Sequence, residues 1–256
     1  MQSLRLVGTG LAIVAAGGVL AGCGENNAPA ASATQSGSAP ITKAQATAYA
    51  QAVNLRAADL PEMNAGKPEH EGKAPTRLEL ALARCDGELN PQRRVLNRVS
   101  PTFTTFTEGE DVGEGEDEHE EIHSSVEVLP TVTIAAEHNA AQISPRGLNC
   151  IRRLIPAAFA KSNTRRLHYG PVTLHHLPNP LPDVPGSFAV EITTSVLGVP
   201  SQIAATPPHV YIDILGFLSD AAEINLTATG FPEPVGEEAE QRLISVLYTR
   251  AQANKL

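Results

Sequence analysis

Tryptophan is absent, and Phe and Tyr together make up only 4% of the chain. Surfaces that stack bases or sugars depend on exposed aromatic rings, so both modes of binding are disfavoured. Positive charge is also scarce. The 19 Lys and Arg face 28 Asp and Glu, for a formal net charge of −9 at pH 7. No basic stripe of the kind that tracks phosphates is present, and nucleic acid is not an expected partner. No apolar run reaches the roughly 20 residues a spanning helix needs. The chain has no G-x-S-x-G elbow, no phosphate-binding G-x-x-x-x-G-K-[ST] loop and no C-x-x-C pair, and no cofactor is expected.

What is present begins with the first stretch. Met1 to Arg5 carries one positive charge, and Leu6 to Leu20 is apolar or small with none. That run has the length of the hydrophobic part of a secretory signal. It ends in Leu20-Ala21-Gly22-Cys23, which resembles the lipobox of bacterial lipoproteins. The resemblance implies cleavage before Cys23, a diacylglyceryl group on its sulfur and a palmitate-type lipid anchor holding the chain to the extracytoplasmic face of the cell membrane. An ordinary signal peptide followed by a chance cysteine is the alternative. Two acyl chains suffice for stable anchoring, whereas one binds only with K of about 10⁴ M⁻¹.

Three cysteines would leave one thiol over. If Cys23 carries lipid, the remainder is one pair, Cys85 and Cys150, in a compartment where disulfides persist; two separate buried thiols are the alternative. Gly24 to Pro40 is mostly Ala, Ser, Gly, Asn and Pro, with a single glutamate and no bulky apolar residue, a composition that cannot repay its ordering entropy. The chain therefore divides into a signal peptide (1–22), a lipidated tether (23–40) and one α+β domain (41–256) with an acidic insert at 108–121.

Local signals place the elements of that domain. Thr42-Lys43-Ala44-Gln45 is a capping box, with Ala46, Tyr49, Ala50 and Val53 on one helical face. Pro75 opens a helix with Leu78, Ala81, Leu82 and Cys85 inward, and Gly87 ends it. Ser144-Pro145 opens another along Leu148, Ile151, Ile155 and Phe159, with a kink expected at Pro156. Leu243, Ile244, Leu247, Tyr248 and Ala251 mark the last helix, with Glu237, Glu238 and Glu240 at its positive end. Alternation marks strands through Val126, Val128, Val132 and Ile134, interrupted at Pro130, and through Phe188, Val190 and Ile192. Val210, Ile212, Ile214 and Ile224, Leu226, Ala228 form a hairpin turning near Ser219-Asp220. Such in/out alternation predicts a central antiparallel sheet with one covered face and helices packed on it.

Asn54-Leu55-Arg56-Ala57-Ala58-Asp59-Leu60-Pro61 after an Ala-rich helix, the Cys85/Cys150 pair, Ser100-Pro101-Thr102-Phe103, and Thr227 to Pro232 before an amphipathic helix form a layout. It resembles secreted actinobacterial lipoproteins and extracellular sensor domains of the Mog1/PsbP-like fold. That resemblance implies a non-catalytic ligand-binding or sensor-like module, taking a small molecule, a lipid or an envelope protein. An envelope accessory protein acting through protein contacts is the second expectation.

His119-Glu120-Glu121-Ile122-His123 matches H-E-x-x-H, which on a helix holds zinc between two histidines with the glutamate as general base. Its approach, Glu108 to Glu118, is glycines and carboxylates with Val112 as its one apolar residue. The expectation is a solvated acidic loop with a strand starting after His123, and no metal site. Loose cation binding by the insert, or a metal-dependent hydrolase built on His119, Glu120 and His123, stands behind it. His175 and His176 fall on one strand and point to opposite faces; His168 and His209 are isolated. Asn225-Leu226-Thr227 is a glycosylation sequon on a predicted strand. Between Arg98 and Arg146 there is no Lys or Arg, so the surface is electrically polarised and suited to steering a charged partner.

Overall fold

The computed structural model describes residues 40–68, 85, 94–105, 119–162, 168–198 and 207–256. The predicted helix from Pro75 lies outside them except for Cys85, as do the signal, the tether up to residue 39 and insert residues 108–118. The first helix, α1 (Lys43–Val53), starts as its sequence dictates: Gln45 N donates to Thr42 Oγ1 at 3.2 Å, and Thr42 N donates back to Gln45 Oε1 at 2.9 Å. Ala46, Tyr49, Ala50 and Val53 are its buried face, as expected.

Strands β1 (Asn64–Pro68), β2 (Leu96–Val99), β3 (Pro101–Thr104), β4 (His119–Val128), β5 (His168–His176), β6 (Phe188–Leu197), β7 (His209–Ser219) and β8 (Ala222–Phe231) form one antiparallel sheet. Its order is β1-β3-β4-β8-β7-β6-β5, with β2 beside β3 on the same flank of β4. Register slips by one residue between β2 and β3, because Pro101 has no N–H to donate. Ser100 repairs the ladder there. Its N–H donates to Ser124 O at 2.8 Å and its hydroxyl accepts from Ser124 N at 2.9 Å. The predicted β7–β8 hairpin closes through Asp220-Ala221, with Asp220 at φ 51°, a left-handed position where Asp is tolerated better than most residues.

The sheet is covered on both faces, which corrects the one-sided expectation. On the first face, Ile122, Val126, Leu215, Phe217, Ile224 and Leu226 pack under α1 and the last helix, α4 (Glu237–Ala253), which contributes Leu243, Ile244, Leu247 and Ala251. Each such side chain contributes roughly 1.5–3 kcal/mol by leaving water. On the second face lie α2 (Val132–Gln142) and α3 (Pro145–Ser162), the latter pressing Ile151, Ile155 and Phe159 onto Ile192, Val196, Val210 and Ile212. α2 replaces the predicted continuation of a strand through Val132 and Ile134. Pro130 ends the ladder, and Thr131 then caps a helix by accepting from Ile134 N at 3.2 Å.

The segment after α1 ties the first-face elements together. Asn54 Nδ2 donates to Arg98 O at 3.1 Å, and the Ser124 hydroxyl donates to Asn54 Oδ1 at 2.9 Å while accepting from Leu55 N at 2.9 Å. Arg250 on α4 grips Asp59 through both guanidinium nitrogens at 2.8 and 2.7 Å. Burial alone would raise the Asp59 carboxyl, but the Arg250 hydrogen bonds outweigh it and hold it below the usual value. Cys85 and Cys150 are bonded, with Cα atoms 5.4 Å apart, so the bridge joins residue 85 to α3.

Candidate functional site

H-E-x-x-H lies within a strand. β4 begins at His119 rather than after His123, because the whole motif pairs continuously with β8: His119 with Phe231, Glu120 with Gly230, Ile122 with Ala228, His123 with Thr227. In extended chain the two histidines share a face but sit about 13 Å apart, and Glu120 points to the other face. Zinc–nitrogen bonds are only about 2 Å long, so His119 and His123 cannot share one ion. Among the described residues no cluster of three or more His, Cys, Asp and Glu is placed to hold a metal.

The second face of the sheet carries a cavity instead. Side chains of α2 and α3 and the link between them (Gln142, Ile143, Leu148 and Ile151) stand over Phe188, Val190 and Ile192 of β6, Ile214 of β7 and Asn225 of β8. They enclose about 40 Å³, open to solvent on one side. One water requires roughly 10–15 Å³ on this measure, so the space suits a short alkyl or similar group. Its floor follows from register. Phe188, Gly216 and Asn225 are direct cross-strand neighbours in one row. A Cβ on Gly216 would come within 2.3 Å of Asn225 Oδ1 and 2.4 Å of the Phe188 ring. Glycine therefore lets these two side chains lean toward each other over the strand between them.

Beside this apolar space stands a buried polar wall. His138 Nδ1 bonds to Glu223 Oε1, and Gln142 Nε2 donates to Glu223 Oε2 at 3.0 Å, so both carboxylate oxygens are engaged. Gln142 thus touches both the cavity and the His138–Glu223 pair. Farther along, Arg94 Nε lies 2.7 Å from Glu127 Oε1. His123 is buried on the same face, and desolvation pushes its imidazole down to about 4. The arrangement can receive a small apolar group, with the side-chain amides of Gln142 and Asn225 at its wall to meet a polar end of the same molecule.

The first face holds the most perturbed groups. Asp213 of β7 and Glu240 of α4 are 4% and 5% exposed. Desolvation raises both, Asp213 to about 6 and Glu240 to about 9, and the repulsion between them adds to the rise at Glu240. The sequence carries a signal for the burial of both. Glu240 falls on the helical stripe of Leu243, Ile244 and Leu247, and Asp213 has the parity of the inward Leu215 and Phe217. No local pattern marks His138, Gln142 or Glu223, and Asn225 stands out in sequence only as part of a sequon on a strand, which β8 is.

Other expectations find their places. His175 and His176 lie at the end of the edge strand β5, on opposite faces, and His168 and His209 begin strands. Cys23 lies outside the described residues. Among the described residues no helix is long and apolar enough to cross a membrane. No family model and no curated protein matches the chain. Among solved structures, the chain is similar to the extracellular domain of PknH from Mycobacterium tuberculosis, at 13% identity and a TM-score of 0.44, over 84% of this chain and 100% of that one.

Proposed function

We propose that this chain is a lipid-anchored extracytoplasmic module that binds a small, largely apolar ligand between the second face of its sheet and helices α2 and α3, without catalysis. The observation that carries this reading is the cavity itself: an apolar lining drawn from helices and strands, one open side, and two amides, Gln142 and Asn225, at its wall. Ligand sites in soluble domains have this composition, with few polar groups that orient the guest. The sequence supports the address through the signal-like first stretch and Cys23. A disulfide joining Cys85 to Cys150 suits an oxidising compartment.

The test combines detection with blocking. The full chain, purified without denaturation, is analysed by native mass spectrometry for a retained molecule, and its amide spectrum is followed during titration with butanamide, which pairs a short alkyl group with an amide. Shifts confined to Gln142, Ile151, Val190 and Asn225 are expected, together with their loss in Ile151→Phe, which fills the cavity. Shifts scattered over the surface, or unchanged in a folded Ile151→Phe protein, would reject the cavity as the site and favour an accessory role through protein contacts.

A further inference from the structure

Two further buried carboxyls lie on the opposite face of the sheet, where α4 begins. Asp213 projects from the middle of β7 into the first-face core, flanked along its strand by the inward Leu215 and Phe217. Glu240, four residues past the Gly236 cap, descends onto it. Asp213 Oδ1 and Glu240 Oε1 are both buried and have no hydrogen-bond donor in reach among the described residues. Two ionised carboxylates facing each other in a buried space cannot both persist, and a shared proton resolves both the repulsion and the missing donor. One proton held between the two carboxyls meets both demands.

The surroundings reinforce the demand for a proton. Glu191 faces the pair from β6, and Glu237 faces it from the first turn of α4. Ala228, opposite Asp213 on β8, is apolar. Tyr211, one inward position away on β7, lies near Glu191 and Glu233 and brings no positive charge. α1, packed beside α4, supplies no charge acting on either carboxyl. Among the described residues, the charged groups that act on the pair are all acidic.

We infer that the Asp213–Glu240 pair is a proton-binding site that holds the first turn of α4 against the sheet, and that loss of its proton to solvent frees that turn. The rest of α4 has its own hold: Leu243, Ile244 and Leu247 are fully buried, and Arg250 grips Asp59. The first turn has less. Its Gly236 cap makes no side-chain hydrogen bond to the helix. Release would reach one step further, since Gln241 Nε2 donates to Pro180 O at 2.8 Å and so couples this end of α4 to the β5–β6 connection.

The experiment is hydrogen exchange on the full chain at about pH 6 and about pH 9, a window set by the two raised carboxyls, with intrinsic rates divided out. Amides 239–241 should lose about tenfold or more of their protection at the higher pH while those of β7 and β8 keep theirs. Glu240→Gln can still donate to Asp213 but has no titrating proton, and should make the protection of 239–241 independent of pH. Equal protection of 239–241 at both pH values in the wild type, or the same pH dependence in Glu240→Gln, overturns the inference. Infrared spectroscopy of the wild type supplies a readout that needs no variant: a protonated-carboxyl band at neutral pH that vanishes on alkalinisation is expected. Its absence at neutral pH would equally overturn it.

Discussion

His123 shows how a residue chosen for one chemistry performs another. Its imidazole is buried on the second face of β4, and desolvation lowers its folded-state value from 6.5 to about 4. An unfolded chain takes up this proton near pH 6.5, and the folded chain only near pH 4. Between those values the unfolded state binds more protons, so stability is lost as pH falls through the window. His123→Gln, which cannot titrate, should shrink the stability difference between about pH 7 and pH 4.5 by about 2–3 kcal/mol. Urea unfolding at the two pH values measures it; an unchanged difference would place the acid sensitivity elsewhere. The carboxyl pair has the opposite sign. Asp213 and Glu240 are raised when folded, so their contribution is present at low pH and declines as pH rises toward about 9. One buried base and one buried acid pair therefore narrow the stable range from both ends. None of this is visible in the residues alone, because each shift comes from what distant elements place over the group.

Elements were legible where their signals are local. Thr42 and Gln45 specify the start of α1 within four residues, and the apolar stripe of α4 follows the helical period from Leu243 to Ala251. The alternating runs of β6, β7 and β8 are equally explicit. Val132 and Ile134 misled because two spaced apolar residues fit a strand as well as a helix. The deciding feature was Thr131, whose hydroxyl accepts from Ile134 N. β2 and β3 escaped notice because Asn97, Arg98, Ser100 and Thr102 break any alternation, and their pairing depends on β4, about two dozen residues onward. Helix α3 is additionally held by the Cys85–Cys150 bridge across 65 residues of sequence. Cross-linking a loop of that length stabilises by about 4 kcal/mol in the chain-entropy model. Cys85→Ser with Cys150→Ser should thus lower the Tm by on the order of 10 °C, given roughly 2–4 °C per kcal/mol at this size. Calorimetry with and without reductant checks it. A wild-type Tm indifferent to reduction would show that packing of α3 on Ile192 and Ile212 alone fixes the helix.

At the scale of the whole molecule, the α+β class and the antiparallel sheet followed from the sequence, while coverage of the second face did not. Glu127, Glu223 and His123 are polar positions on the second face of β4 and β8, yet each is less than a tenth exposed. They are buried because α2 and α3 cover this face, and α2 brings His138 and Gln142 to meet Glu223, an encounter that no local pattern encodes. Under the proposed anchor, residues 24–40 would lie between the lipid and the domain. If those residues behave as a flexible Gly- and Ser-rich chain, 17 of them span roughly 20–25 Å on average. Lipid on Cys23 would then confine the domain to within a few nanometres of the membrane. Cys23→Ala removes the one cysteine that lies outside the disulfide. The variant should move from the membrane pellet to the soluble fraction of fractionated cells, and intact-mass measurement should show the loss of the diacylglyceryl mass. Its melting curve should match that of the wild type, since the bridge and both cores lie beyond residue 40. Equal membrane association of the two proteins, with the same unmodified N-terminus, would remove the anchor from the proposal and leave the cavity to be tested in its own right.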